Sequence, residues 1–172
     1  MKKLSKIVAL LLAGALTMLL FTACGGGGGA GKIEEDKQKD MMNNIMSSSQ
    51  GKKIKENDPG LYQTALSDLN TDIEAHSKEG GAFKGDVRVR GIAPAEEFVT
   101  ITVTADYKVG QALTYLLNLI STKIRIEYPG TNVDVSANSS WSKAAVVVKS
   151  DQYGTYVAVA IQIKNPNYPK PL

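Results

Sequence analysis

The sequence predicts an α+β fold: a single domain built on an antiparallel β-sheet of about five or six strands, with two helices packed on one face. Three observations carry that expectation. Several runs alternate apolar and polar residues with period two, as half-buried strands do. Two longer stretches repeat apolar residues at helical spacing. The strand-like runs also cluster, in the order helix, two strands, helix, then three or four strands. A parallel sheet would need helices and strands to alternate regularly.

Each element has a local reason. Asp58-Pro59-Gly60 opens the first helix, because Asp58 can cap free N–H groups and proline suits the first helical position. Leu61, Ala65, Leu69 and Ile73 form its apolar stripe, widened by Tyr62 and Leu66, and Gly80-Gly81 ends it. Residues 86–92 (DVRVRGI) send Val87 and Val89 to one face and Arg88 and Arg90 to the other. Residues 98–105 (FVTITVTA) alternate valine or isoleucine with threonine. Ala93-Pro94-Ala95 joins the two as a hairpin loop. Asp106 can cap a second helix over 109–122, which is apolar on most sides and so predicted to be central. Strands follow at 123–128 (KIRIEY), 132–136 (NVDVS), 143–149 (KAAVVVK) and 155–164 (TYVAVAIQIK). The last two are the most apolar and belong at the centre. The tail 165–172 holds Pro166, Pro169 and Pro171 and should be extended. The domain is therefore expected over 58–164, with a Pro-rich tail after it.

Composition excludes several functions. The chain has 172 residues with one cysteine, one histidine and one tryptophan. One cysteine closes no internal disulfide and one histidine supplies no paired-histidine metal site. No metal or cofactor is expected. The formal charge of +3 comes from 20 cations and 17 anions. Lys2, Lys3 and Lys6 lie in the first 23 residues, which hold no carboxylate, so from Cys24 onward the charges balance at 17 each. A balanced domain does not suit nucleic acid.

The first 29 residues read as an address. Three lysines precede an apolar run over 7–21, too short for the ~20 residues of a transmembrane helix and suited to a signal peptide. Leu20-Phe21-Thr22-Ala23-Cys24 then resembles the lipobox of bacterial lipoproteins, with Phe21 standing where Leu, Val or Ile is usual. The resemblance implies cleavage between Ala23 and Cys24 by signal peptidase II, and a diacylglyceryl thioether on Cys24. It implies a chain anchored on the outer face of the bacterial cytoplasmic membrane. It concerns this segment alone. The physical chemistry agrees, since two or more acyl chains at ~0.8 kcal/mol per methylene suffice for stable anchoring.

Residues 24–57 read as a tether. Residues 25–31 are glycine apart from Ala30 and should reach about 15 Å as a flexible chain. Met41, Met42, Ile45 and Met46 share a helical face within 33–49. A short amphipathic helix there would pack on the domain itself or be partly disordered, with contact to a peptide or membrane as the other reading. Lys52, Lys53 and Lys55 form a basic connector that reads as a solvated loop and could also meet anionic headgroups.

No catalytic constellation stands out. His76 lies alone at the end of the first helix, where a positive charge is favoured. Asp68 and Asp72, one turn apart, read as a solvated helix face. Ser139 and Ser140 with Lys143 make a nominal dyad without distinctive spacing. Glu96, Glu97 and Glu127 fall near strand ends, where a glycosidase would need two carboxylates flanking a cleft. Trp141 and Tyr153, with Tyr156 near the last hairpin, are the candidate ligand contacts, because aromatics in loops stack on sugars or anchor peptides; core packing is the competing role for Trp141. The sequence thus leans away from an enzyme. It points to an anchored envelope lipoprotein whose domain binds or scaffolds an envelope protein or glycan. A small cell-wall hydrolase and a homo-oligomeric structural component are the alternatives.

Overall fold

In the computed structural model, which describes residues 31–169, five strands pair antiparallel into one sheet. They are β1 (Lys32–Ile33), β2 (Val87–Arg90), β3 (Phe98–Asp106), β4 (Trp141–Ser150) and β5 (Thr155–Lys164), in the order β1-β4-β5-β3-β2. Four helices accompany them: α1 (Glu35–Ser47), α2 (Pro59–Glu79), α3 (Tyr107–Gly110) and α4 (Leu113–Glu127). The α+β class and the antiparallel sheet are those the sequence predicts. None of these helices is long and apolar enough to cross a membrane.

The helices do not share one face. Met41, Met42 and Ile45 of α1 join Leu116, Ile120 and Ile124 of α4 over Val99, Ile101, Val103, Val146, Val159 and Ile161. On the opposite face, Leu61, Ala65, Leu69 and Ile73 of α2 cover Ala145, Val147, Ala158 and Ala160. The reason lies in β4 and β5, where Ala144 to Val148 and Tyr156 to Ile161 are buried without a break. Strands apolar on both faces need a cover on each. The three alanines under α2 are small enough for a helix to approach closely.

The folded unit begins at Gly31, well before Asp58. Residues 31–57 are thus part of the domain. β1 pairs with the end of β4, and α1 buries Met41 and Ile45. The connector then runs along the outer side of β4. Asn57 exchanges two hydrogen bonds with the Val146 backbone at 2.9 and 3.0 Å, and the Asp58 N–H donates to the Ala144 carbonyl at 2.9 Å. An otherwise open strand edge is sealed by this segment. As expected, Asp58 caps α2, accepting the Leu61 N–H at 2.9 Å.

The expected central helix over 109–122 and the strands over 123–128 and 132–136 are replaced by a different arrangement. Asp106 caps only the short α3. Gly110 then lies against Val157 and Ala105, where a Cβ would collide, and the helix restarts at Leu113. It continues through the predicted strand because Leu116, Ile120 and Ile124 hold one stripe, and because a helix once nucleated propagates at little cost. Lys123 and Glu127 pair at 2.7 Å along it, and Tyr128 before Pro129 stops it. The alternating Ile126 is 68% exposed, so α4 is a surface helix with one buried stripe. Residues 132–136 are a loop.

Candidate functional site

The strands give the domain two ends. At one, the chain enters at β1, where Lys32 pairs with Ser150; β4 and β3 finish there and β5 begins. At the other, β3 and β4 begin, and β2 and β5 finish. This second end holds an open cleft of about 480 Å³ lined by Arg90, Gly91, Glu96, Glu97, Phe98, Thr100 and Gln162.

The cleft is built from the sheet outward. Arg90, Thr100 and Gln162 lie side by side in register on β2, β3 and β5. Arg90 is fixed by Asp68 of α2, to which it donates two hydrogen bonds at 2.9 and 2.7 Å. Gly91 adopts a φ of 74° and its missing side chain would strike the Phe98 carbonyl, so glycine alone fits this turn. Asn165, 2% exposed, holds the loop above it. Its side-chain amide donates to the carbonyls of Gly91, Ala93 and Glu96 at 3.3, 2.9 and 2.9 Å, while its Oδ1 accepts the Asn167 N–H at 3.0 Å. A buried side chain thus fixes an exposed loop. That loop presents Glu96 and Glu97, neither of which has an ion-pair partner among the described residues, beside Phe98, a residue 38% exposed. Two carboxylates and an amide accept and donate hydrogen bonds, and the half-exposed ring offers a stacking surface.

This geometry makes Asn165 a positioning residue. Asn165→Ala should destabilise the domain by about 1–3 kcal/mol, since three loop carbonyls lose a buried donor. Asn165→Asp should be worse, because a carboxylate would face those same carbonyls. Urea unfolding gives the order, and amide exchange over residues 92–97 should accelerate in both variants. An Asp variant as stable as the wild type would refute the clamp.

The predicted residues fare differently. Trp141 is 1% exposed and its indole N–H donates to the Val135 carbonyl at 2.8 Å, so it is a core residue and offers no ligand surface. Tyr153 is 63% exposed on the β4–β5 hairpin, at the end opposite the cleft, so the structure does not bring Trp141 and Tyr153 together. Tyr153 instead joins His76, Phe83 and Tyr156: the His76 ring lies 6.2, 5.6 and 5.8 Å from theirs. The Nδ1 of His76 is buried without a hydrogen-bond partner among the described residues. No group of three or more metal-ligating side chains occurs among them. Lys143 pairs with Asp58 at 3.2 Å, so the nominal serine–lysine dyad does not form. Glu96 and Glu97 line one cleft, whereas Glu127 is paired with Lys123 on α4. Cys24 and Ala23 lie outside the described residues.

Asp68 and Asp72 were expected on a solvated face but are buried, 7% and 8% exposed. Asp72 takes two hydrogen bonds from Arg88 and one from the Thr104 hydroxyl. Sequence reasoning missed this network and the clamp at Asn165. The signal for the first was available: Asp68 and Asp72 fall on the stripe of Leu61, Ala65 and Leu69. Four helical residues rise about 6 Å, and two strand residues about 6.6 Å. That match lets the Asp68/Asp72 pair meet Arg90 and Arg88. For Asn165 the only hint is an asparagine at a strand end before proline.

Tyr156, 1% exposed, has its phenol pushed up to about 12 by burial and by the nearby Asp151 carboxylate. The fold therefore favours the protonated phenol. That contribution is fully present below the ordinary value of 10.0 and is lost as pH climbs toward about 12. An ultraviolet titration should show a late step that Tyr156→Phe removes. Ionisation complete by pH 10 in the folded chain would contradict it.

Comparison with family models, with curated proteins and with solved structures finds no match to this chain.

Proposed function

We propose that this chain is a membrane-anchored envelope lipoprotein whose α+β domain is a binding module, with the Glu96–Glu97–Phe98 cleft as its ligand surface. The observation that carries this reading is the cleft's construction and position. A buried asparagine and a glycine turn hold the loop backbone that carries two carboxylates, without an ion-pair partner among the described residues, and an aromatic ring, at the end of the sheet away from the point where the chain enters. Such preorganisation favours binding, because little freedom is left to lose when a ligand arrives. On a short glycine tether the cleft would face outward into the envelope, within reach of a glycan or protein partner. Sugar hydroxyls suit carboxylate and amide acceptors beside a stacking ring.

Two experiments test the reading. Globomycin should accumulate the unprocessed precursor, and Cys24→Ser should release the chain from the membrane fraction; unchanged processing and fractionation would remove the anchor. Isolated cell-wall glycan should retain the lipidated chain, and Phe98→Ala or Glu97→Gln should weaken retention about tenfold. Equal retention of both variants would remove the cleft.

Assembly through strand addition has less support. β5 is paired on both sides, and the outer side of β4 is sealed by residues 48–58. The two edge strands of the described sheet are short: β1 has two residues and β2 four, and the Asp86 carboxylate accepts the Val87 N–H of β2 at 2.7 Å.

A further inference from the structure

We infer that the end of the domain opposite the cleft lies on the lipid surface, with Tyr153 seated at headgroup level; this rests on the lipid-anchored reading above. The entry point fixes which end this is. Gly31 sits against Lys149 and the Ser150 carbonyl, beside the hairpin that carries Tyr153. Seven residues separate Cys24 from Lys32. Their reach of about 15 Å is short beside the roughly 30 Å spanned by a nine-residue strand such as β3. An anchor so placed keeps the entry end near the bilayer and the cleft away from it.

The chemistry of that end fits an interface. Tyr153 is 63% exposed at the tip of a hairpin that Asp151 braces, accepting the Tyr153 and Gly154 N–H groups at 2.8 and 3.0 Å. The ring packs edge-on against His76, which in turn meets Phe83 and Tyr156, and it is left largely exposed. A tyrosine with an apolar ring and a polar tip is the side chain enriched where bilayer meets water. Lys32, Lys78 and Lys84 are cations of the same end, and Lys78 and Lys84 are tempered by Glu74 and Glu79 at 2.7 and 3.9 Å. The contact is therefore led by the aromatic ring and only assisted by charge.

The test uses the lipidated chain in phosphatidylethanolamine–phosphatidylglycerol vesicles, with and without lipid brominated close to the glycerol. Trp141, buried at the far end, is an internal control whose emission should not change. Tyr153→Trp should add an emission quenched roughly twofold by the brominated lipid, as an indole at headgroup depth would be. Phe98→Trp, in the cleft, should stay unquenched. Equal emission of Tyr153→Trp in both vesicles, or quenching of Phe98→Trp instead, would overturn the orientation while flotation with the vesicles still upheld the anchor. Failure of the chain to float would overturn both readings. Shielding of the Tyr153→Trp indole only after envelope protein is added would assign this end to a protein and defeat the lipid contact.

Discussion

Trp141→Ala should lower the stability of the domain by about 3–5 kcal/mol, the range for emptying a large aromatic site in a packed core. Trp141 is among the largest fully buried side chains here, and its indole N–H is committed to the Val135 carbonyl at 2.8 Å. Truncation would leave a cavity under the 132–136 loop and an unpaired buried carbonyl. Trp141→Phe separates the two effects: it refills most of the volume but not the hydrogen bond, and should cost about 1–2 kcal/mol. Denaturant unfolding gives both values. Because Trp141 does not line the cleft, Trp141→Phe should retain glycan as the wild type does. A selective loss of retention in a stably folded Trp141→Phe would restore Trp141 as a ligand contact.

Asp72→Ala should cost about 3 kcal/mol, at the lower end of the range for breaking a buried ion pair. Asp72 receives both Arg88 nitrogens and the Thr104 hydroxyl, the last at 2.6 Å. Its removal leaves a guanidinium whose side chain is only 23% exposed. Asp68 and Asp86, at 3.7 and 3.8 Å from Arg88, soften the loss without replacing the paired geometry. Asp72→Asn should fall between, keeping an acceptor but no charge. In an Arg88→Met background, Asp72→Ala should cost about 1 kcal/mol or less, because no orphaned charge remains. An equal cost in both backgrounds would show that the arginine is not what Asp72 serves.

How much was legible in the sequence follows from which interactions are local. Period two in residues 98–105 and 155–164 is enforced within each strand, and both strands form where the pattern puts them, with 155–164 matched end to end. The cap and stop of α2 are likewise set by neighbours in sequence, Asp58, Pro59 and Gly80. Residues 123–128 were ambiguous because Ile124 and Ile126 fit a strand, while Ile124 also completes a helical stripe with Ile120. The tie was broken by contact with the sheet, which that segment cannot report. In the candidate site, Glu96 and Glu97 could be noticed as carboxylates near a strand end. Their grouping with Phe98, Thr100 and Gln162 depends on strand register, and their fixed pose depends on a residue 69 positions away.

The sequence by itself determined the α+β class, the cap of α2 and the most apolar strands, because these follow from short-range pattern and periodicity. Only the tertiary structure decided that helices cover both faces, that residues 31–57 belong to the domain, that Trp141 is core and that Asp68 and Asp72 are paired. Each of those depends on which surfaces meet. A tryptophan or an aspartate is equally at home exposed or buried until its partner is in place, and here the partners, Val135, Arg88 and Arg90, arrive from other elements of the fold.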